Sequence, residues 1–70
     1  MSWNEFTAGH QVGDVVDGTV SKVLPFGAFV RVAGFDGLLS QVKSVADGEP
    51  VRVRILAIDD ANKRFSLEMA

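Results

Sequence analysis

Seventy residues, 47% of them hydrophobic and 23% charged, make one small globular domain; disorder and a second core are both excluded. The absence of cysteine removes disulfides and thiolate metal ligands. A formal net charge of -2 argues against a protein that holds nucleic acid by charge alone. The longest uncharged apolar stretch, Val23 to Val30, is far short of a membrane span, and Met1-Ser2-Trp3-Asn4-Glu5 lacks the basic and apolar regions of a secretory leader, so a cytoplasmic protein with no membrane partner is expected.

Residues 1 to 11 carry Trp3 and Phe6 without a clear period. They read as a short helical turn or an extended arm that lays both rings over the open end of a core, Trp3 serving as a lid rather than a ligand ring. His10 is the only histidine, and no motif places an acid beside it. It is expected on the surface or in a turn rather than as a ligand or general base. From Val12 to Leu24 the valine-rich run predicts one long strand, bent at Gly18 so that it serves two halves of a closed sheet. Pro25, without an N-H for a ladder, ends it.

Phe26 to Val32 predicts a second strand. Side chains alternate between faces, so Ala28, Val30 and Val32 share one side while Phe29 and Arg31 share the other. Gly27, lacking a Cβ, is expected to let the backbone kink so that Phe26 leans towards Phe29. Two readings follow. Leaving a Phe in water forgoes roughly 1.5 to 3 kcal/mol of burial, so two exposed rings beside an arginine point to a platform for nucleobases, where stacking contributes about 1 to 3 kcal/mol per base. Alternatively, both rings close one end of a small barrel. Periodicity alone does not choose between them.

Ala33-Gly34-Phe35-Asp36-Gly37 supplies turn chemistry, and Leu38, Leu39 and Ser40 form a short third strand. Ser40 to Pro50 has room for one or two helical turns at most, and Asp47-Gly48 is a turn signal. In the fourth strand, Val51 to Asp59, the inward Val51, Val53 and Ile55 alternate with Arg52 and Arg54. Leu56 and Ile58 then take the opposite parity, as in a strand that bends while a barrel closes. Asp59-Asp60-Ala61-Asn62-Lys63 is a hairpin turn. The last strand, Arg64 to Met69, points Phe65, Leu67 and Met69 inward and Arg64, Ser66 and Glu68 outward.

Five short strands with the first one bent describe an all-β, five-stranded antiparallel Greek-key barrel, the OB-fold, with a short or missing helical connector between strands 3 and 4. The usual ligand face of that barrel is strands 2 and 3 with the loops joining strands 1 and 2 and strands 4 and 5. Those elements hold Phe26, Phe29, Lys63 and Arg64. Four of the seven bases, Arg52, Arg54, Lys63 and Arg64, fall in the last third of the chain, so a local basic patch is compatible with an acidic whole.

The ordered set Val12-Gly13-Asp14-Val15-Val16-Asp17-Gly18-Thr19-Val20, Pro25-Phe26-Gly27-Ala28-Phe29-Val30, Asp36-Gly37-Leu38-Leu39, Val51 to Asp59 and Arg64-Phe65-Ser66-Leu67 resembles the S1 RNA-binding domain family, named for the ribosomal protein that repeats it. The opening Trp3-Asn4-Glu5-Phe6 is similar to the lead-in to such a repeat, which divides the chain into a lead-in over residues 1–11 and an S1-like domain over 12–70. The resemblance implies single-stranded RNA binding, with Phe26 and Phe29 stacking on bases. It matches the family's acidic residue at the end of strand 4 to Asp59 and its basic residue opening strand 5 to Arg64. Where the family commonly places a histidine on the RNA face this chain has Ser40, and its connector from Ser40 to Pro50 is several residues shorter.

The leading reading is therefore a sequence-tolerant binder of single-stranded RNA. Phe26 and Phe29 stack, Lys22, Arg31 and Arg64 meet phosphates, and Ser40 and Asp59 complete the face. No cofactor or metal is implied. The partners are RNA and the ribosome or a larger RNA-processing assembly, and the isolated chain is expected to be a monomer. Lys22 and Arg31 as ordinary solvated charges remain the plain alternative. The other class of function is a protein-interaction module that uses Phe26, Phe29 and Phe35 as an apolar patch. Catalysis is the poorest reading, since the chain offers no metal-ligand cluster, phosphate-cradling loop or nucleophile with a base.

Overall fold

The computed structural model describes residues 2–40 and 44–70. Their order is α1 (Trp3–Gly9), β1 (Val15–Leu24), β2 (Gly27–Val32), β3 (Phe35–Ser40), β4 (Pro50–Asp59) and β5 (Arg64–Met69). The strands close into a barrel in the order β1-β2-β3-β5-β4, the expected OB arrangement. Four ladders are antiparallel, and the fifth, between β3 and β5, is parallel. The reason is parity. Each antiparallel ladder reverses strand direction, and a closed circuit of five strands returns to its starting direction only after an even number of reversals.

β1 serves two neighbours. It pairs with β4 from Val15 to Thr19 and with β2 from Thr19 to Leu24, changing partner just after Gly18. The strand starts at Val15 rather than Val12, because residues 11–14 close a turn in which Asp14 N-H donates to the Gln11 carbonyl at 3.0 Å and Gln11 N-H donates to Asp14 Oδ2 at 3.0 Å. Register slips once between Val20 and Lys22 and once between Ile55 and Ala57. Leu56 is thus the extra residue of a bulge and stands exposed. A bulge rather than a smooth bend explains the change of parity in β4, and Ile58 returns to the inner side opposite Phe65.

The β2–β3 turn is shorter than the composition of residues 33–37 suggests. Val32 already pairs with Phe35, and the two turn residues Ala33 and Gly34 have φ of 53° and 88°. Both lie in the left-handed region that tight hairpins use. Asp36-Gly37, expected in the turn, lies inside β3. Gly37 is there because a Cβ at this position would run into the Phe65 ring. In the connector, residues 44–49 contain no helix, while residues 41–43 of the expected short or missing connector helix lie outside the described residues. The connector is tied to β1, since Gly48 N-H donates to the Val20 carbonyl at 2.7 Å, Val20 N-H to the Glu49 carbonyl at 2.9 Å and Val23 N-H to Asp47 Oδ1 at 3.0 Å.

The inner faces bring Val20, Ala28, Val30, Val32, Leu39, Val51, Val53, Ile55, Phe65 and Leu67 together. Met69, expected inward, is exposed, because β5 meets β3 only at Ser66 and Leu67 and so lacks a neighbour on one side of its last rung. One end of this core is covered by α1. Ser2 and Glu5 form a reciprocal capping box that starts the helix, and Trp3 and Phe6, three residues apart and therefore on one side, are buried. His10 follows the helix, partly buried, with its ring 4.4 Å from that of Phe6 and its Nδ1 2.8 Å from the Phe6 carbonyl oxygen.

Phe65→Ala should cost about 3 to 5 kcal/mol, read from urea unfolding. Gly37→Ala should cost about 1 to 3 kcal/mol by overpacking. In a double-mutant cycle Phe65→Leu should recover part of that loss, since the added methyl group then meets a shorter side chain.

Candidate nucleic-acid interface

The two bulges align one row of outward residues around the barrel. Lys22 pairs with Phe29, Phe29 with Leu38, Leu38 with Ser66 and Ser66 with Ala57, so β1, β2, β3, β5 and β4 each place one residue in the same row. Along this row lies an open groove of about 390 Å³, walled by Phe26, Phe29, Asp36 and Leu38 on one side and by Ala57, Asp59, Arg64 and Ser66 on the other. Phe65 and Ile58 also line it. Phe65 has its ring in the core, so the groove floor is continuous with the barrel interior.

Phe26 is 66% exposed and Phe29 37% exposed. The reading in which both rings seal the end of the core is thereby set aside: that end is filled by Trp3 and Phe6 from α1. Phe26 occupies the two-residue connection between β1 and β2, and Phe29 stands two residues into β2. Gly27 between them does not kink the strand. A Cβ there would collide with the Leu39 carbonyl oxygen, so glycine lets β2 and β3 approach closely beneath the two rings. Phe35 lies elsewhere, edge-on to Trp3 at 5.4 Å and 5.2 Å from Phe6. The expected patch of Phe26, Phe29 and Phe35 is therefore two rings, with the third among the core aromatics.

The cations divide into two groups. Arg31 Nε donates to Asp36 Oδ1 at 3.2 Å, Arg52 Nε to Asp17 Oδ1 at 3.2 Å and Arg54 Nη1 to Glu68 Oε2 at 3.1 Å. Among the described residues Lys22, Lys63 and Arg64 have no carboxylate partner. Lys22 stands beside Phe29 across the β1–β2 ladder and Arg64 walls the groove, so two of the free cations border the rings. Arg31 is one rung from Phe29 on the same face and leaves its terminal nitrogens free while Asp36 holds Nε. Ser40 is exposed at the end of β3 opposite Gly27, on the face of Phe29 but outside the groove wall.

Asp59 ends β4 opposite Arg64. Its carboxylate accepts the Asn62 side-chain amide at 2.8 Å and the Asn62 backbone N-H at 3.3 Å. These bonds, aided by the Ala61 backbone and the nearby Arg64 charge, hold the carboxyl below its ordinary range against a weak opposing effect of desolvation. The charged form is thus built into the turn. Among the described residues no group of three or more His, Asp and Glu side chains is placed to hold a metal ion.

Sequence reasoning located the rings, Asp59 and Arg64 but missed Leu38, Ala57, Ile58, Ser66, Phe65 and Asp36 as groove residues. Leu38 had a signal available, because it is apolar on the outward parity of β3. Ala57 and Ser66 had none, since their place depends on the bulge at Leu56 and on the β3–β5 pairing.

Comparison with known proteins identifies the family and the fold. The family model described as S1 RNA binding domain matches residues 9–70. A small ribosomal subunit protein bS1 homolog of Bacillus subtilis is 39% identical over 70 residues, covering 84% of this chain and 18% of that protein. The small ribosomal subunit protein bS1 of Leuconostoc lactis is 44% identical over 69 residues, covering 83% of this chain and 16% of its own length. The chain thus spans less than a fifth of these two relatives. Among solved structures, an uncharacterized protein of Methanocaldococcus jannaschii, MJ1198, superposes with a TM-score of 0.77 at 16% identity over 86% of this chain and 92% of the other, a likeness of fold.

The depressed Asp59 carboxyl has a sign that can be tested. Its contribution to the β4–β5 turn is fully present above the unfolded-state pKa and is lost as pH falls through the lower folded-state value. The Asn62 amide resonance should therefore titrate with a midpoint below that of an aspartate in an unstructured peptide, and Asp59→Asn should abolish the titration.

Proposed function

The chain belongs to the S1 RNA-binding domain family, and we propose that it holds single-stranded RNA in the groove between β2 and β3 on one side and β4 and β5 on the other, with Phe26 and Phe29 stacking on successive bases. The observation that carries this reading is the pair of exposed rings bordered by cations without carboxylate partners. An aromatic face tolerates any base, so the binding is sequence-tolerant. Lys22 and Arg64 meet phosphates, Arg31 adds its free terminal nitrogens, Asp59 keeps the loop that carries Arg64 in place, and Ser40 offers a hydroxyl where a larger ring would add stacking area.

The magnitudes fit a weak module. Two stacked bases give roughly 2 to 6 kcal/mol before the cost of ordering the strand. About three phosphate contacts imply a salt slope near -2 for a single strand. Micromolar to millimolar dissociation constants follow, since a millimolar constant corresponds to about -4 kcal/mol. Such a module gains affinity when linked to others or seated in an assembly. We place residues 12–70 as the binding domain and 1–11 as its lead-in, acting without catalysis in the cytoplasm as part of a ribosomal or other RNA-handling assembly, and monomeric when isolated. The ribosomal names of relatives that are much longer than this chain support that setting.

Titration with a short single-stranded RNA at two salt concentrations, followed by amide chemical shifts, tests the reading. Shifts should cluster on β2, β3 and the β4–β5 turn, and affinity should drop steeply at higher salt. Phe26→Ala with Phe29→Ala should weaken binding by at least tenfold, given about 1 to 3 kcal/mol per stacked base. A double variant that binds like the parent, or shifts confined to the opposite side of the barrel, refutes stacking in this groove.

A further inference from the structure

Helix α1, Trp3–Gly9, lies almost wholly ahead of the region matched by the family model, which begins at residue 9. It nevertheless contacts, at two separate points, the turn next to one groove wall and the groove floor. The Trp3 indole Nε1 donates to Asp60 Oδ1 at 2.9 Å, a partly buried bond between residues 57 positions apart. Asp60 opens the β4–β5 turn, immediately after Asp59 of the groove wall and four residues before Arg64. The second point is the groove floor. The Phe65 ring lies 6.3 Å from the Trp3 ring and 4.8 Å from that of Phe6, with Trp3 and Phe6 stacked at 5.4 Å.

From this juxtaposition we propose that Trp3 is a positioning residue for RNA binding: α1 is the support of the wall that carries Asp59 and Arg64, and the Trp3–Asp60 hydrogen bond sets where that wall stands. A lid that only covered apolar surface would need the ring but not the N-H. Here the N-H reaches across the barrel end to the one turn that supplies both a groove carboxylate and a groove cation. Asp59 is already tied within the turn by Asn62, so the turn moves as a unit. Its only side-chain hydrogen bond to another element, among the described residues, is the one from Trp3. Releasing that bond leaves the Asp59–Asn62 turn intact while freeing it to shift relative to Phe26 and Phe29 on the far wall. The inference rests on the reading of the groove as the RNA site.

The test compares Trp3→Phe, Asp60→Ala and Asp60→Asn with the parent in binding of a short single-stranded RNA, thermal unfolding, and amide exchange at Asn62, Lys63 and Arg64. Both Asp60 variants remove the same charge, so the difference between them isolates the hydrogen-bond acceptor. Asp60→Asn, which keeps an acceptor oxygen, should bind RNA about three- to tenfold more tightly than Asp60→Ala, the range a single hydrogen bond supports. Trp3→Phe should show a similar loss relative to the parent, with faster exchange in the turn; it loses some core packing as well, and thermal unfolding checks that it is fully folded at the temperature of the binding measurement. Equal binding by the two Asp60 variants, or turn exchange unchanged in Trp3→Phe, overturns the proposal. Phe26→Ala separates the two layers of argument. If it loses affinity while Trp3→Phe does not, the positioning role alone fails. If RNA binding ignores Phe26 and Phe29, the groove reading fails and this proposal with it, whatever the exchange rates show.

Discussion

A closed ring of strands must contain an even number of antiparallel ladders, because the circuit has to come back to its starting direction. With five strands an odd number of ladders, at least one, is forced to be parallel, and here it is the single ladder of β3 against β5. Parallel strands cannot be joined by a tight turn, so the chain leaves β3 through the connector, crosses the barrel as β4 and returns as β5. The parallel ladder is also short, with Leu38 opposite Ser66 and Leu39 opposite Leu67. Its outward rung, Leu38 and Ser66, lies in the middle of the groove, with Phe29 on one flank and Ala57 on the other. Closure of the barrel and placement of the candidate interface are thus two results of one topological constraint.

The aromatic residues sort themselves by the same geometry. Trp3, Phe6, Phe35 and Phe65 form a connected cluster at one end of the interior, with ring centroids 4.8 to 6.3 Å apart. Phe26 and Phe29 stand outside that cluster and are exposed to water. In a chain of this size, where only about 60% of the unfolded surface is buried, forgoing two phenyl groups of burial is costly. The core compensates from outside the barrel proper, by drawing two rings from α1. A helix that fills the barrel end relieves Phe26 and Phe29 of that task, so the lead-in and the exposed platform are linked through the distribution of hydrophobic area.

Features with local causes were legible in the sequence. Alternation in β2, in the first half of β4 and in β5 follows from the two-residue period of a strand, and the turn at residues 59–63 follows from its composition. The change of partner in β1 just after Gly18 was legible for the same reason, whereas the exposure of Phe26 and Phe29 was one of two readings that periodicity left open, and the family resemblance ordered these pieces. What remained hidden has non-local causes. Asp36-Gly37 carries every mark of a turn, yet it lies in a strand because the Phe65 ring, 28 positions later, needs the space of a missing Cβ. Leu56 cannot be identified as a bulge without its partner strand. Met69 continues a perfect alternation but falls beyond the last neighbour that would bury it. Half of the groove's second wall, Ala57 and Ser66, consists of small residues with no chemical signature, brought to the site only by pairing.

Net charge misleads as a guide to this surface. Three of the arginines, Arg31, Arg52 and Arg54, are matched by Asp36, Asp17 and Glu68 in exposed ion pairs. Pairs of that kind contribute about 0 to 1 kcal/mol to stability, but each one cancels a cation as seen from a distance. Among the described residues the unmatched cations are Lys22, Lys63 and Arg64, and the groove lies between the first and the last of these. At physiological ionic strength screening sets in over about 8 Å, a little under two strand spacings of about 4.8 Å each and far smaller than the 31 Å long axis of the molecule. Carboxylates on the far side are therefore mostly invisible to a phosphate near Phe29, whereas Lys22 and Arg64 are not. The chain as a whole is acidic, while the groove beside Phe29 is bordered by cations without carboxylate partners among the described residues.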